Sequence, residues 1–358
     1  MVSANVLPSM GGVETHVHEV CTRLGAAGLD MTVLTADRSG RPSAEEAHPN
    51  YHMRRFRAFP SAGDCFVAPG LLRHLTDRPR YDIVHVQGVH TLLPPAALAA
   101  ARRAGIPAVL TFHTGGHSSG LRRAIRPAQW RLFAPLLRST VALIAVCEFE
   151  RRLFADVLGI DPSLIRLIRN GCEPLPIEAS AAVPEGNPLL VSVGRFERYK
   201  GHHRILGALP EILAAEPHAR LVLVGAGPYE NQLRLIAREL NVEDRVSICC
   251  FGPDQRPALG RLLVEADVFC LLSDYEAHPV AVMEAVGAGT NALVADNSGL
   301  AELGRAGLVT TIGLTSTPEQ IAAAALAVAA TPRSAPKVLP TWDTCAEQLA
   351  RLYHECAV

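Results

Sequence analysis

The feature that most constrains this chain is an alternation of short β-branched and aliphatic runs with longer amphipathic stretches, interrupted once and then restarted. Such alternation is met by parallel sheets with helices on both faces. In the first half, residues 1–6, 31–36, 82–86, 108–112, 141–146 and 164–168 read as strands. Residues 14–27 read as a helix, with Val17, Val20 and Leu24 at helical spacing and Gly28 placed to end it. Residues 172–188 then hold four prolines and Gly186, which neither a strand nor a helix tolerates well. Beyond them the rhythm resumes with strands at 189–193, 220–224, 245–251, 268–272 and 292–295. The expectation is an α/β protein of two doubly wound Rossmann-like domains. They span residues 1–172 and 189–338, with a linker at 173–188 and a last segment, 339–358, whose helix at 341–356 is set apart by prolines. No short fixed repeat is present, which removes solenoids and propellers.

Composition narrows the partners. With 34 basic against 35 acidic residues the net charge is -1, so nothing in the whole-chain balance favours nucleic acid, and a small molecule becomes the default ligand. A 49% hydrophobic, 19% charged chain is globular rather than disordered. The longest apolar runs, 92–101 and 321–330, are about half of what spans a bilayer, and no secretory signal opens the chain, so a cytoplasmic location is expected. Nine cysteines without a C-x-x-C pair fit free thiols in a reducing compartment, and no structural metal is expected. Only Lys200 and Lys337 are lysines among the basic residues, so Lys200, in a glycine-flanked segment, stands out.

In open α/β sheets ligands bind beyond the carboxyl ends of strands, where loops lead into helix N-termini. Three such loops carry chemistry. Pro8-Ser9-Met10-Gly11-Gly12-Val13-Glu14 lets backbone amides approach an anion, or is simply a glycine-eased turn. Gly194-Arg195-Phe196-Glu197-Arg198-Tyr199-Lys200-Gly201 offers a planar guanidinium fork and a compact ammonium, a complementary pair for a diphosphate; the bland alternative is a solvated basic loop. In the segment 273–285, Pro279 belongs to the first turn of a helix, leaving Glu276 in the loop ahead and Glu284 a turn inside, two carboxylates able to accept bonds from sugar hydroxyls across a shared cleft. An ordinary loop acid and a helix-surface acid are the alternative. His113 follows a strand, His278 lies near the proposed ligand, and His16, His18, His85, His90, His117, His202 and His203 show no metal-binding spacing. The stretch 121–139 interleaves Arg122, Arg123, Arg126, Arg131 and Arg138 with apolar residues, suited to a solvated helix face or to contact with anionic lipid. Gly225-Ala226-Gly227 lacks the third glycine of a dinucleotide fingerprint.

Together these segments resemble the retaining glycosyltransferases of family 4 over nearly the whole chain. The matching parts are the G-G-x-E loop at Gly11–Glu14, His113, Asn170-Gly171, the G-R…K-G segment, E-x7-E from Glu276 to Glu284, and Trp342. The resemblance implies a GT-B architecture with a cleft between the domains and a last helix crossing back to the first. It also implies a nucleoside-diphosphate-sugar donor, UDP-sugar foremost, and a hydroxyl acceptor, with neither metal nor resident cofactor. On it, Arg195 and Lys200 hold the diphosphate with the Gly11 and Gly12 amides, and Glu284 accepts the ribose hydroxyls. Glu276, with His278, Pro279 and Val280, holds the donor sugar, and His113 touches it near its reacting face. Loops at 63–69, 87–93 and 114–121 are expected to meet the acceptor. Three departures are visible: His278 in the loop, Asn291 in place of a common proline, and a short first strand. A sugar-nucleotide 2-epimerase and a non-catalytic sugar-nucleotide-binding protein are the competing readings, and the incomplete glycine fingerprint argues against an NAD-dependent oxidoreductase.

Overall fold

The computed structural model describes residues 1–9, 11–39, 44–61, 65–77, 81–115, 120–333, 335, 337 and 339–357, with backbone alone at 121–123. Met10, Gly63, Gly116, His117 and the side chains of Arg122 and Arg123, all invoked above, lie outside that description. The chain divides into two compact units: Met1–Thr114, Leu121–Gly171 and Pro340–Val358 form one, Gly115–Gly120 and Cys172–Leu339 the other.

The first unit runs β1 (Val2–Ser3), α1 (Gly12–Ala26), β2 (Thr32–Asp37), β3 (Ala44–His48), β4 (Tyr51–Arg57), α2 (Pro69–Asp77), β5 (Val84–Gln87), α3 (Leu93–Arg103), β6 (Ala108–Thr111), α4 (Gly120–Leu137), β7 (Ala142–Ala145), α5 (Glu148–Leu158) and β8 (Ile165–Leu167). Its sheet has the order β3-β4-β2-β1-β5-β6-β7-β8. Every pairing is parallel except β3 with β4, an antiparallel edge. That edge corrects the expectation of a purely parallel sheet. Ala44–His48 holds no β-branched residue and pairs across a two-residue turn with β4, whose Tyr51, Met53 and Phe56 face inward. The central strands β5 and β6 are buried at every residue, with the polar His85, Gln87 and Thr111 enclosed among the apolar ones. Phe112 stacks on Phe154 at 3.8 Å in the middle of this core.

The second unit continues with β9 (Leu189–Val193), α6 (His202–Ala215), β10 (Arg220–Val224), α7 (Glu230–Glu239), β11 (Val246–Cys249), α8 (Arg256–Glu265), β12 (Val268–Leu271), α9 (Val280–Gly287), β13 (Asn291–Ala295), α10 (Ser298–Arg305), β14 (Thr310–Ile312) and α11 (Pro318–Ala329). Its sheet, β11-β10-β9-β12-β13-β14, is parallel throughout. The short edge strand β14 carries too little apolar signal to read from sequence.

The last helix, α12 (Trp342–Cys356), belongs to the first unit. Thr341 caps it by accepting from Thr344 N at 3.1 Å, and Trp342, Cys345, Ala346, Leu349, Leu352 and Tyr353 form its buried stripe. It packs against α1, and Arg23 Nε reaches Asp343 Oδ1 at 2.6 Å. Deeper in the unit, the Tyr353 hydroxyl lies 2.5 Å from His85 Nδ1, whose Nε2 meets Thr111 Oγ1 at 2.7 Å.

Candidate active site

In the second unit the chain leaves β9 through Gly194, whose amide donates to Val224 O at 3.0 Å, while Phe196 N donates to Ala226 O at 2.9 Å. Gly225 and Gly227 lie against this loop. A Cβ on Gly225 would strike Gly194 O, and one on Gly227 would strike the Phe196 backbone. The incomplete fingerprint at Gly225-Ala226-Gly227 is therefore a packing device that lets two loops touch. After a single 3-10 turn, Arg198–Lys200, the chain enters α6 through Gly201 at φ +75°. Any side chain there would also collide with Leu272 O, so the position is closed to other residues twice over.

This geometry brings Lys200 to Glu276: Nζ donates to Oε1 at 2.7 Å, and the Ser273 hydroxyl lies 2.8 Å from the same oxygen. Burial is the largest influence and works against the Lys200 ammonium, but the Glu276 carboxylate and Tyr199 together outweigh it and hold the lysine pKa above its ordinary value. Arg195 behaves differently. Its side chain is 54% exposed and pairs with Glu197 at 3.2 Å. Beneath the loop, His202 Nδ1 meets Ser192 Oγ at 2.9 Å. Burial, then the Lys200 charge, pushes the pKa of His202 down to about 4, so the ring is neutral at neutral pH.

Glu284 does not share a cation with Glu276. It is buried on α9 and accepts from Arg256, the first residue of α8. Glu276, in the loop, and Glu284, on α9, thus each have an ion pair of their own, with Lys200 and with Arg256. Pro279 is the N-cap of α9 rather than part of its first turn, with Val280 as the first helical residue and His278 buried just ahead. Asn291 opens β13 at its amino end, where its amide donates to Thr331 O at 3.0 Å. Its substitution for a common proline therefore falls at the strand end opposite to the ligand-side loops.

In the first unit Gly11 is the N-cap of α1, in extended conformation at φ 175°, and Gly12 begins the helix. A Cβ on Gly11 would run into the Glu14 carboxylate, which folds back over it. His113 follows β6 in a left-handed conformation, φ +44°, unusual for a residue with a side chain. Its Nε2 donates to Gln87 Oε1 at 2.8 Å, and its carbonyl accepts from His90 Nε2 at 2.8 Å. The His16 ring sits edge-on at 4.5 Å. His16 Nδ1 meets Asn170 Oδ1 at 3.0 Å, and burial pushes its pKa down to about 4. Gly171 has no room for a Cβ against the Trp342 backbone.

No signal in the sequence assigned a role to Arg256, Asn297, Ser298 or His16. Gln87 was legible only as the first residue of the 87–93 loop, Ser273 only as the start of the segment 273–285, and Arg256 only as one of many arginines. All nine cysteines are free thiols, and burial pushes Cys21, Cys172, Cys270 and Cys345 up to about 12. Among the described residues no helix is long and apolar enough to cross a membrane.

Two Rossmann-like α/β units in one chain are the architecture of GT-B proteins. The chain matches the description Glycosyltransferase Family 4 over residues 10–174 and Glycosyl transferases group 1 over residues 176–334. It belongs to this family of glycosyltransferases. A glycogen synthase of Mycobacterium tuberculosis is 30% identical, with 89% of this chain and 82% of that protein covered. A GDP-mannose:cellobiosyl-diphosphopolyprenol alpha-mannosyltransferase of Xanthomonas oryzae is 28% identical, over 81% and 76%. Among solved structures, the sucrose-phosphate synthase of Thermosynechococcus elongatus superposes with a TM-score of 0.78 at 20% identity, covering 99% of this chain and 97% of that one. HepE of Anabaena, in complex with UDP and glucose, gives 0.72 at 16%, covering 99% and 98%.

Proposed function

We propose that this glycosyltransferase moves a hexose from a nucleoside-diphosphate-sugar to an acceptor hydroxyl with retention of configuration and without a metal. The observation that carries the reading is the Lys200–Glu276 pair at 2.7 Å, which sets a cation for a diphosphate beside a carboxylate for sugar hydroxyls. Lys200 and the exposed Arg195 bind the diphosphate, Glu276 with His278, Pro279 and Val280 holds the sugar, and Glu284 takes the ribose hydroxyls. In the first unit, we assign donor contacts to His113 and to the amides of Gly11 and Gly12.

In this mechanism the bond from the anomeric carbon to the phosphate oxygen breaks first, through an oxocarbenium-like state. The acceptor oxygen bonds to the same face, and its proton passes to an oxygen of the departing diphosphate. The protein's work is then to stabilise the leaving group, and fixed donors aimed at developing charge are worth on the order of 10² to 10³ each in rate.

UDP is the first nucleotide to test, because HepE, of the same fold, is solved with UDP and glucose. The mannosyltransferase relative takes GDP-mannose by its name, so GDP belongs in the same screen. The decisive experiment measures thermal stabilisation by UDP, GDP and ADP and by their sugars, then NMR of the product's anomeric centre. Stabilisation by a nucleotide sugar, a retained anomer and turnover unchanged by EDTA are expected. An inverted anomer, or activity abolished by EDTA and restored by magnesium, contradicts the reading.

A peripheral membrane contact is proposed for α4, where Leu132 is 75% and Ile125 51% exposed on an arginine-bearing helix. Co-sedimentation with phosphatidylglycerol vesicles that is lost in Leu132→Glu supports it; no sedimentation of the parent protein removes it.

A further inference from the structure

Ser298 adopts φ +45°, a left-handed backbone that costs a residue with a Cβ and that glycine would adopt freely. Strain of this kind persists only where surrounding contacts hold it. Here the Ser298 hydroxyl accepts from Glu276 N at 2.9 Å and donates to Asn297 Oδ1 at 2.7 Å. Asn297 Nδ2 in turn donates to Ser273 O and to Asp274 O, both at 3.0 Å. The next amide, Gly299 N, donates to Glu276 O at 2.8 Å, and Gly299 has no room for a side chain against Ala277 O. Both backbone polar groups of Glu276 are thus taken by the first residues of α10, and the loop ahead of it is held by the amide of Asn297. From the other side Lys200 and Ser273 fix the Glu276 carboxylate.

We propose that Ser298, supported by Asn297, is a positioning residue for the donor sugar. Its strained backbone aims the hydroxyl at Glu276 N and so sets the angle at which the Glu276 carboxylate meets sugar hydroxyls. It is expected to act on the sugar more than on the nucleotide, because its hydroxyl bonds the Glu276 amide, whereas the nucleotide is assigned to Arg195, Lys200 and Glu284, with Lys200 linked to Glu276 through the carboxylate. The inference rests on the assignment of Glu276 to the donor sugar.

The test uses Ser298→Gly, which allows the same left-handed backbone without its strain and removes the hydroxyl together with its Cβ. The full-length parent, S298G and Glu276→Gln are titrated by calorimetry with UDP, GDP and ADP and with UDP-glucose, GDP-mannose and ADP-glucose. For the pair in which the sugar alters the parent's affinity, S298G is expected to weaken the nucleotide sugar about tenfold while leaving the bare nucleotide within about twofold. Its melting temperature should be equal to or above the parent's. S298G that binds the nucleotide sugar as the parent does, while E276Q does not, overturns the role of Ser298 alone. E276Q that binds it as the parent does overturns the assignment of Glu276, and a parent that binds none of the six overturns the functional reading and this inference with it. Weakening of nucleotide and nucleotide sugar alike shows a merely structural role and also overturns the proposal.

Discussion

Lys200 Nζ lies 2.7 Å from Glu276 Oε1, and the two side chains are 18% and 9% exposed. The cation assigned to the diphosphate is thus partly neutralised by the carboxylate assigned to the sugar. Removing the lysine leaves a nearly buried carboxylate without its partner. Lys200→Ala is therefore expected to lose roughly 1–3 kcal/mol of stability as well as turnover. Adding Glu276→Gln should recover part of the stability and none of the turnover. Arg195→Ala should stay within about 0.5 kcal/mol of the parent, because the Arg195 side chain is itself 54% exposed and its ion pair is screened by solvent. Its turnover should still fall on the order of 10²-fold. Urea unfolding and donor turnover, measured on the same preparations, separate the two effects.

Acid sensitivity follows from His202. Its folded pKa is about 4 against an ordinary 6.5, so between those values the unfolded chain binds a proton that the folded one refuses. Stability is unaffected above pH 6.5, falls as pH drops from 6.5 towards 4, and falls no further on this account below that. The slope is at most about 1.4 kcal/mol per pH unit for one histidine. His202→Asn, compared with the parent by urea unfolding at pH 7 and pH 4.5, should show the shallower loss; equal slopes would refute this account. His16 predicts the same window, because burial pushes its pKa down to about 4 as well.

Lys200 works in the opposite sense. Its folded pKa is raised above the ordinary 10.5, so the contribution is fully present below that value and disappears as pH climbs through the raised one. Parent and Lys200→Met should therefore converge in stability only at strongly alkaline pH.

Arg256 neutralises Glu284 from the start of α8. Arg256→Ala is expected to lose about 1–3 kcal/mol and to weaken nucleotide binding, since the buried Glu284 carboxylate loses a charge-assisted bond. Arg256→Lys should restore the charge but not the fork. Calorimetric affinities for a bare nucleotide that are the same in all three proteins would show that Glu284 does not need this partner.

Gly201 is predicted to be the least replaceable residue of the loop. Gly201→Ala would combine a left-handed backbone with a collision at Leu272 O, and it should cost more than the roughly 1 kcal/mol of an ordinary glycine-to-alanine misfit. A circular-dichroism melt indistinguishable from the parent's would contradict this.

Much of this molecule was legible in its sequence, for reasons that can be named. Buried parallel strands must be continuous apolar runs, so Leu189–Val193 and Arg220–Val224 stood out to the residue. The hairpin β3–β4 did not, because an exposed edge strand such as Ala44–His48 needs no apolar face. At the candidate site, Arg195, Lys200 and Glu276 were visible as charges in loops after strands and Glu284 as a charge in the following helix. Their pairing was not: Lys200 and Glu276 lie 76 positions apart, and nothing local to Glu284 indicates Arg256. Ser298 was hidden for another reason, since a serine in a left-handed conformation spells the same as any other.

The helix α12 brings Trp342 and Tyr353 into a core otherwise built from residues before 172. Because the second unit intervenes, a growing chain emerging from the ribosome has to wait, with its first sheet lacking a wall, until that whole insert has been translated. The unit whose sheet is synthesised earliest thus gains its covering helix only after the other unit has been made.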